Sequence, residues 1–167
     1  MVFLFESNWS EIDSRFPEPP SIKDVESPDN SLQCAFPFIA YSGERIYCGS
    51  NGLTVISVTS DGIGYKTPIV SIDSAKNDGF PVLGPDELSI YWSTDRTDGD
   101  VKGGRDIWTA TRSSESLDFD LPHPIVELNT SQDESPAWIS MDSCEMYLIR
   151  FNADSGTDDI YVAKRPL

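Results

Sequence analysis

The sequence predicts an all-β protein, an incomplete β-propeller of about three four-stranded antiparallel blades. Three observations carry that expectation. A unit that opens on a proline and places a tyrosine ten or eleven residues later occurs three times. The segments around it are short, rich in Ile, Val, Tyr, Trp and Phe, and bounded by Gly, Asp, Asn, Ser and Pro, as strands and turns are. Runs such as Ile90-Tyr91-Trp92 are apolar on both strand faces, which suits sheets packed between two others. No segment sustains a helical period.

Residues 2–17 (VFLFESNWSEIDSRFP) align without gaps on 107–122 (IWTATRSSESLDFDLP), so the chain opens on a third strand, and PPSIKDVES (19–27) reads as a fourth. AFPFIAYSGERIYCGS (35–50) supplies a first and second strand, LTVISVT (53–59) a third and TPIVSIDS (67–74) a fourth. The next unit repeats this order with GFPVLGPDELSIYWST (79–94), DIWTATR (106–112) and HPIVELNT (123–130). ESPAWISMDSCEMYLIR (134–150) and DIYVAKR (159–165) give the last unit three strands. Pro37, Pro81 and Pro136 open the copies, and Tyr47, Tyr91 and Tyr147 follow at intervals of 44 and 56 residues, enough for four strands with loops. The longer interval reflects the polar loop 94–106. The expected organisation is therefore 1–30, the third and fourth strands of a preceding blade; 31–74 and 75–130, two whole blades; and 131–167, a blade lacking its outer strand. Propellers close with typically four to eight blades. The chain is thus expected to be a fragment of a longer propeller or, failing that, to close by self-association, each copy lending an N-terminal outer strand to the other.

Composition narrows the partners. With 38% hydrophobic and 11% aromatic residues the chain has material for a core. Twenty-eight acids against twelve bases give a formal charge of −16, which disfavours nucleic acid and anionic membranes because phosphates attract Lys and Arg. The acids are spread evenly over the two loop sets of a propeller, so no single acidic docking face is expected. No run approaches the roughly 18 apolar residues of a membrane-spanning helix, and MVFLFESNWS lacks the pattern of a signal peptide. Cys34, Cys48 and Cys144 form no metal-type pair. A Cys34–Cys48 bridge needs both side chains on one face, whereas a two-residue turn at Ser42-Gly43 puts them on opposite faces, so three small buried thiols are expected.

FPVLGPDELSIYWSTDR with RDIWTATR, and SPAWISMDSCEMYLIR with DDIYVAKR, resemble the TolB-type propeller repeat. That WD40-like signature runs roughly S-P-x-[WF]-S-P-D-G, an aromatic strand, S-x-R, a glycine-rich loop and D-I-[YW]. The first unit departs from it, with YSGE at the Pro-Asp turn and LTV in place of D-I-[YW]. The resemblance implies that Pro85-Asp86 makes the turn between first and second strands. It also implies that Arg96 pairs with Asp106, and Arg150 with Asp159, as structural clasps. TolB-type propellers bind other proteins, often in the bacterial cell envelope, which implies a periplasmic or extracellular setting. An alternative implied by resemblance is the propeller portion of a larger hydrolase, such as a prolyl-oligopeptidase-like peptidase, with its catalytic domain outside this chain.

No catalytic constellation stands out. The single histidine, His123, precedes a proline at the start of an outer strand, and no G-x-S-x-G elbow is present. SQDESPAW (131–138) approaches the Asp-box of sialidase propellers but has Ser135 where glycine is usual. The loops TDRTDGD and NADSGTDD crowd Asp95, Asp98, Asp100, Asp154 and Asp158, a composition suited to calcium without the order of an EF-hand. No other cofactor is expected. The reading is a non-catalytic interaction module for a protein partner, with the contact sought at Asp95, Arg96, Asp98, Asp100, Lys102 and Arg105 of the longest loop.

Overall fold

A computed structural model describes residues 34–49, 52–59 and 62–165; the strands expected at 2–7 and 19–27 lie outside the described residues. The described residues are all-β, with no helix, and form three antiparallel sheets. The first holds β1 (Phe38–Ile39), β2 (Arg45–Gly49), β3 (Leu53–Thr59) and β4 (Gly62–Pro68) in that order. The second holds β5 (Gly79–Leu83), β6 (Ser89–Thr94), β7 (Asp106–Thr111) and β8 (His123–Pro124). The third holds β9 (Glu134–Ile139), β10 (Glu145–Asn152) and β11 (Thr157–Lys164), and β11 carries no strand on its outer edge among the described residues.

The same hairpin builds each sheet. Gly43, Glu87 and Ser143 turn the chain in the left-handed region, at φ 72°, 55° and 57°. Their amides bond to the carbonyls of Ala40, Gly84 and Ser140. One residue earlier, a short polar side chain fixes the bend: Ser42 Oγ, Asp86 Oδ1 and Asp142 Oδ1 accept from the amides of Glu44, Leu88 and Cys144 at 3.2, 3.0 and 3.0 Å. The Pro85-Asp86 turn thus has the expected aspartate-to-main-chain bond, and YSGE builds the same bend with serine.

Each first strand is also irregular. Phe36 and Phe80, 44 residues apart, both have positive φ (50° and 53°) and stack with ring centroids 3.7 Å apart. The β5–β6 register shifts between Gly79 and Val82, and the β9–β10 register between Tyr147 and Leu148. A bulge adds one residue to a strand and reverses side-chain parity beyond it. That reversal corrects the expectation of three free thiols: β1 and β2 have the register of a Ser42-Gly43 turn, but the left-handed Phe36 brings Cys34 to the Cys48 side, and the two form a disulfide. Cys144 is the free thiol and is partly exposed.

The fourth elements also differ from expectation. TPIVSIDS and HPIVELNT are not strands throughout: β4 and β8 end at Pro68 and Pro124, and after one further bond each, from the Ile69 and Ile125 amides to the Leu53 and Ile107 carbonyls, the chain leaves the sheet. The chain instead makes one turn, with Ile72 and Asp73 amides on the Ile69 carbonyl and Leu128 and Asn129 amides on that of Ile125. The turn drops Ile72 into the core and aims Asp73 and Asn129 at the amides opening β3 and β7, at 3.3 Å to Leu53 and 2.7 Å to Ile107.

Consecutive sheets stack. Tyr47 and Leu53 of the first meet Leu83, Ile90, Trp92 and Trp108 of the second; Val82 and Tyr91 of the second meet Ile139 and Met146 of the third. The matched tyrosines therefore differ: Tyr47 and Tyr91 are 2% and 7% exposed, Tyr147 is 41% exposed. Leu53 and Ile107, two positions further along that face, are fully buried, whereas their counterpart Ile160 is 75% exposed. Tyr41 in the first sheet's turn reaches past the second sheet and donates its hydroxyl to the Ile139 carbonyl at 2.8 Å.

Two outcomes follow from this geometry. Reducing Cys34–Cys48, which closes 14 residues, is expected to lower unfolding free energy by about 3 kcal/mol in urea titrations with and without dithiothreitol. Ser143→Gly is expected to raise it by about 0.5–1 kcal/mol, because relief of the left-handed penalty exceeds glycine's added chain entropy; an unchanged or lower urea midpoint would contradict the strain at that turn.

Candidate functional site

The loop between β6 and β7, residues 95–105, is held at both roots and open at its tip. Asp95 accepts from the Asn77 amide at 2.9 Å and from its side-chain nitrogen at 2.6 Å. The main-chain bond from Asn77 is the chief reason its carboxyl is held below the usual range. At the other root, Asp106 accepts from the amides of Lys102 and Gly103 at 2.7 and 3.1 Å. The Arg105 amide reaches Asp133 Oδ1 at 2.9 Å, and Lys102 Nζ reaches the Val126 carbonyl at 2.7 Å. Gly103 passes so near the carbonyls of Gln132 and Thr130 that a Cβ there would collide with main chain. Thr97, Asp98, Gly99 and Asp100 remain exposed.

Arg96 leaves this loop for the interior. It does not pair with Asp106; its Nε lies 3.6 Å from Asp78 Oδ1, its guanidinium sits over the rings of Trp92 and Trp108 at 5.7 and 5.1 Å, and its Nη2 bonds to the Ile72 carbonyl. Asp78 is fully used, taking Trp92 Nε1 at 3.1 Å on one oxygen and the Ser74 amide and hydroxyl at 2.9 and 2.6 Å on the other. The third sheet repeats the device. Arg150 bonds to Glu134 at 2.8 Å and to the Leu128 carbonyl at 2.9 Å, and covers Tyr161 at 4.5 Å. Glu134 in turn takes the Thr130 amide and hydroxyl. Arg150 and Asp159 face each other in register, yet Asp159 accepts from Asn152 Nδ2 at 2.8 Å. The expected Arg96–Asp106 and Arg150–Asp159 clasps are thus replaced by pairs with acids at the start of the first strands, Asp78 just before β5 and Glu134 opening β9. A sequence signal for them existed: Ser74 and Thr130 each stand four residues before the acid, at the same place in successive units.

In the first sheet the positions of Asp78 and Trp92, 44 residues earlier, are Cys34 and Cys48. The disulfide and the Asp78–Trp92 hydrogen bond therefore make the same connection, across the same bulge, over the same sequence separation of 14.

Two clefts of about 430 Å³ lie between sheets. The first is lined by Arg45, Tyr47, Arg112, Glu115 and Phe119. Its arginines are tied down by neighbouring groups: buried Glu87 beside it accepts from Ser42 Oγ at 2.6 Å, from Arg45 and from Tyr47 Oη at 3.2 Å. Arg112 donates to the Glu87 carbonyl at 2.9 Å and covers Phe119 at 4.5 Å. Burial and the Glu87 charge push the Tyr47 phenol up. Burial works against the Arg45 cation, but hydrogen bonds to Glu115 and Glu87 outweigh it and raise its pKa. The second cleft, between Tyr91, Ile125, Leu128, Ile139 and Met146, is mainly apolar and has the free Cys144 at its rim.

The five calcium candidates do not converge. Asp95 is committed to Asn77, Asp98, Asp100, Asp154 and Asp158 are exposed, and among the described residues no three His, Cys, Asp or Glu side chains are grouped to hold a metal ion. His123 is exposed on β8, opposite Thr109.

Asp78→Ala strips the partner from a buried guanidinium and is expected to cost about 3–5 kcal/mol of stability in denaturant titrations. If Asp106→Ala proved the more costly, the assignment of Arg96 to Asp78 would be wrong.

No protein-family model matches the chain, and no curated protein matches it either.

Proposed function

We propose that the chain is a non-catalytic interaction module built of β-propeller blades of the TolB type, and that it holds a protein partner at the tip of the 95–105 loop. The observation that carries this reading is the Tyr41 hydroxyl on the Ile139 carbonyl at 2.8 Å. Flat sheets stacked about 10 Å apart would leave the first and third roughly 20 Å from each other, beyond the reach of a tyrosine. Sheets that converge along their first strands and splay along their outer ones bring these groups together, as blades do around an axis. Phe38 of β1 supports the same convergence by packing against both core clusters.

A loop clamped at Asp95, Arg96, Lys102 and Arg105 and open from Thr97 to Asp100 presents Asp98 and Asp100 at little entropic cost on binding. Its chemistry fits a basic protein surface. The Cys34–Cys48 disulfide supports an oxidising, extracytoplasmic setting. The exposed face of Tyr147 and Ile160 is where a further blade would pack.

The test uses the immobilised chain and the envelope fraction of its source, with a captured partner identified and its affinity then measured with purified protein. Asp98→Lys with Asp100→Lys is expected to weaken that affinity at least about tenfold without moving the melting temperature. Binding unchanged by the double reversal would remove the loop from the interface.

A further inference from the structure

We propose that the open edge of β11 is a self-complementary docking edge that pairs antiparallel with β11 of a second copy of this chain. In the first two sheets the equivalent strands, β3 and β7, have a strand on each side, β4 and β8 being the outer ones. β11 has β10 on one side and none on the other among the described residues, over eight residues, Thr157–Lys164. Such a row of unpaired N–H and C=O groups is a template for another strand. Edges that avoid pairing are short, bulged or charged in the middle. β11 instead pairs with β10 without a register break and has its charges at the ends, Asp158 and Asp159 at one and Lys164 at the other, around the exposed Ile160, Tyr161 and Val162.

That pattern selects both the partner and the register. A two-fold axis relating identical antiparallel strands lies perpendicular to the sheet and pairs residues of the same face. Centred on Tyr161, it sets Asp158 against Lys164 of the other copy, and Ile160 against Val162, each twice. Centred on Ile160, it sets Asp158 against Val162; centred on Val162, it sets Ile160 against Lys164. Only the Tyr161 register joins opposite charges and apolar side chains together. Lys164 contacts Glu145 at 2.7 Å within its own sheet, and its ammonium has further donors for Asp158. The formal charge of −16 on each copy opposes association, so the dimer is weak and is best measured where salt shortens the Debye length, at about 0.3 M. The inference does not rest on the propeller reading, since any arrangement of the three sheets leaves this edge as described.

Sedimentation equilibrium of the whole chain over a range of concentrations, with two substitutions, decides it. A reversible dimer is expected; Asp158→Lys weakens it about tenfold by setting like charges opposite each other, and Asp158→Lys with Lys164→Asp restores it. Tyr161→Cys places two thiols 4.5–5.5 Å apart between Cα atoms. Under mild oxidation it gives a covalent dimer beyond the wild-type background, while Ile160→Cys, which faces position 162, does not. A chain that stays monomeric overturns the proposal. A dimer indifferent to Asp158→Lys, or one that Tyr161→Cys fails to link, also overturns it and puts the contact elsewhere: on the Tyr147 face, or with residues 19–27 taking the β11 edge.

Discussion

A residue at or just ahead of the start of each first strand is tied across a backbone irregularity to the second strand or the residues that follow it, and the loops depend on that tie. In the first sheet the tie is covalent, Cys34 to Cys48. In the second it is Asp78 under Trp92 and Arg96; in the third it is Glu134 under Arg150. The location is demanding because the acids are fully buried, and a buried carboxylate persists only with its lone pairs filled and a cation nearby. Each acid meets that condition the same way, with an amide and hydroxyl from the residue four earlier and an arginine, from just beyond the second strand for Asp78 and from within it for Glu134. Arginine suits the site because its flat, weakly hydrated guanidinium can lie on indole or phenol while donating in its own plane.

The tie connects core to loop. Arg96 is drawn inward, so one root of the 95–105 loop is a side chain packed over Trp92 and Trp108. The other root is fastened to Asp106 and to Asp133, which is next to Glu134 in the tie of the following sheet. One sheet's loop is thereby positioned by its neighbour, and the exposed tip inherits the rigidity of both. The same economy governs the cleft between the first and second sheets, where Glu87, itself in a left-handed turn, gathers Ser42, Arg45 and Tyr47 across the sheet boundary. These charges mainly join sheets.

The third sheet shows what the repeat looks like where, among the described residues, no further sheet covers its Tyr147 face. Its turn, bulge and buried acid follow the others, yet Tyr147 and Ile160 are exposed where Tyr47, Tyr91, Leu53 and Ile107 are buried. The apolar residues at these positions are thus set by the unit's own pattern, and their burial by what packs next.

The division between what was legible and what was not follows the range of the interactions. Strands at 53–59 and 106–111, the bend at Pro85-Asp86, the three-fold recurrence of the hairpin and the doubly covered Ile90-Tyr91-Trp92 could be read from the chain alone. They rest on side-chain alternation and on hydrogen bonds between residues two to five apart, which act wherever the segment goes. The extent of β4 and β8, the disulfide and the partners of Arg96 and Arg150 could not. A single left-handed residue, Phe36, reverses the parity on which the cysteine argument stood. The choice between Asp78 and Asp106 turns on which carboxylate lies buried beside the indoles. Local chemistry therefore determined the unit and its turns; only the packing of one sheet on another decided which charges meet, because those neighbours are distant in sequence and their desolvation exists only once the sheets are stacked.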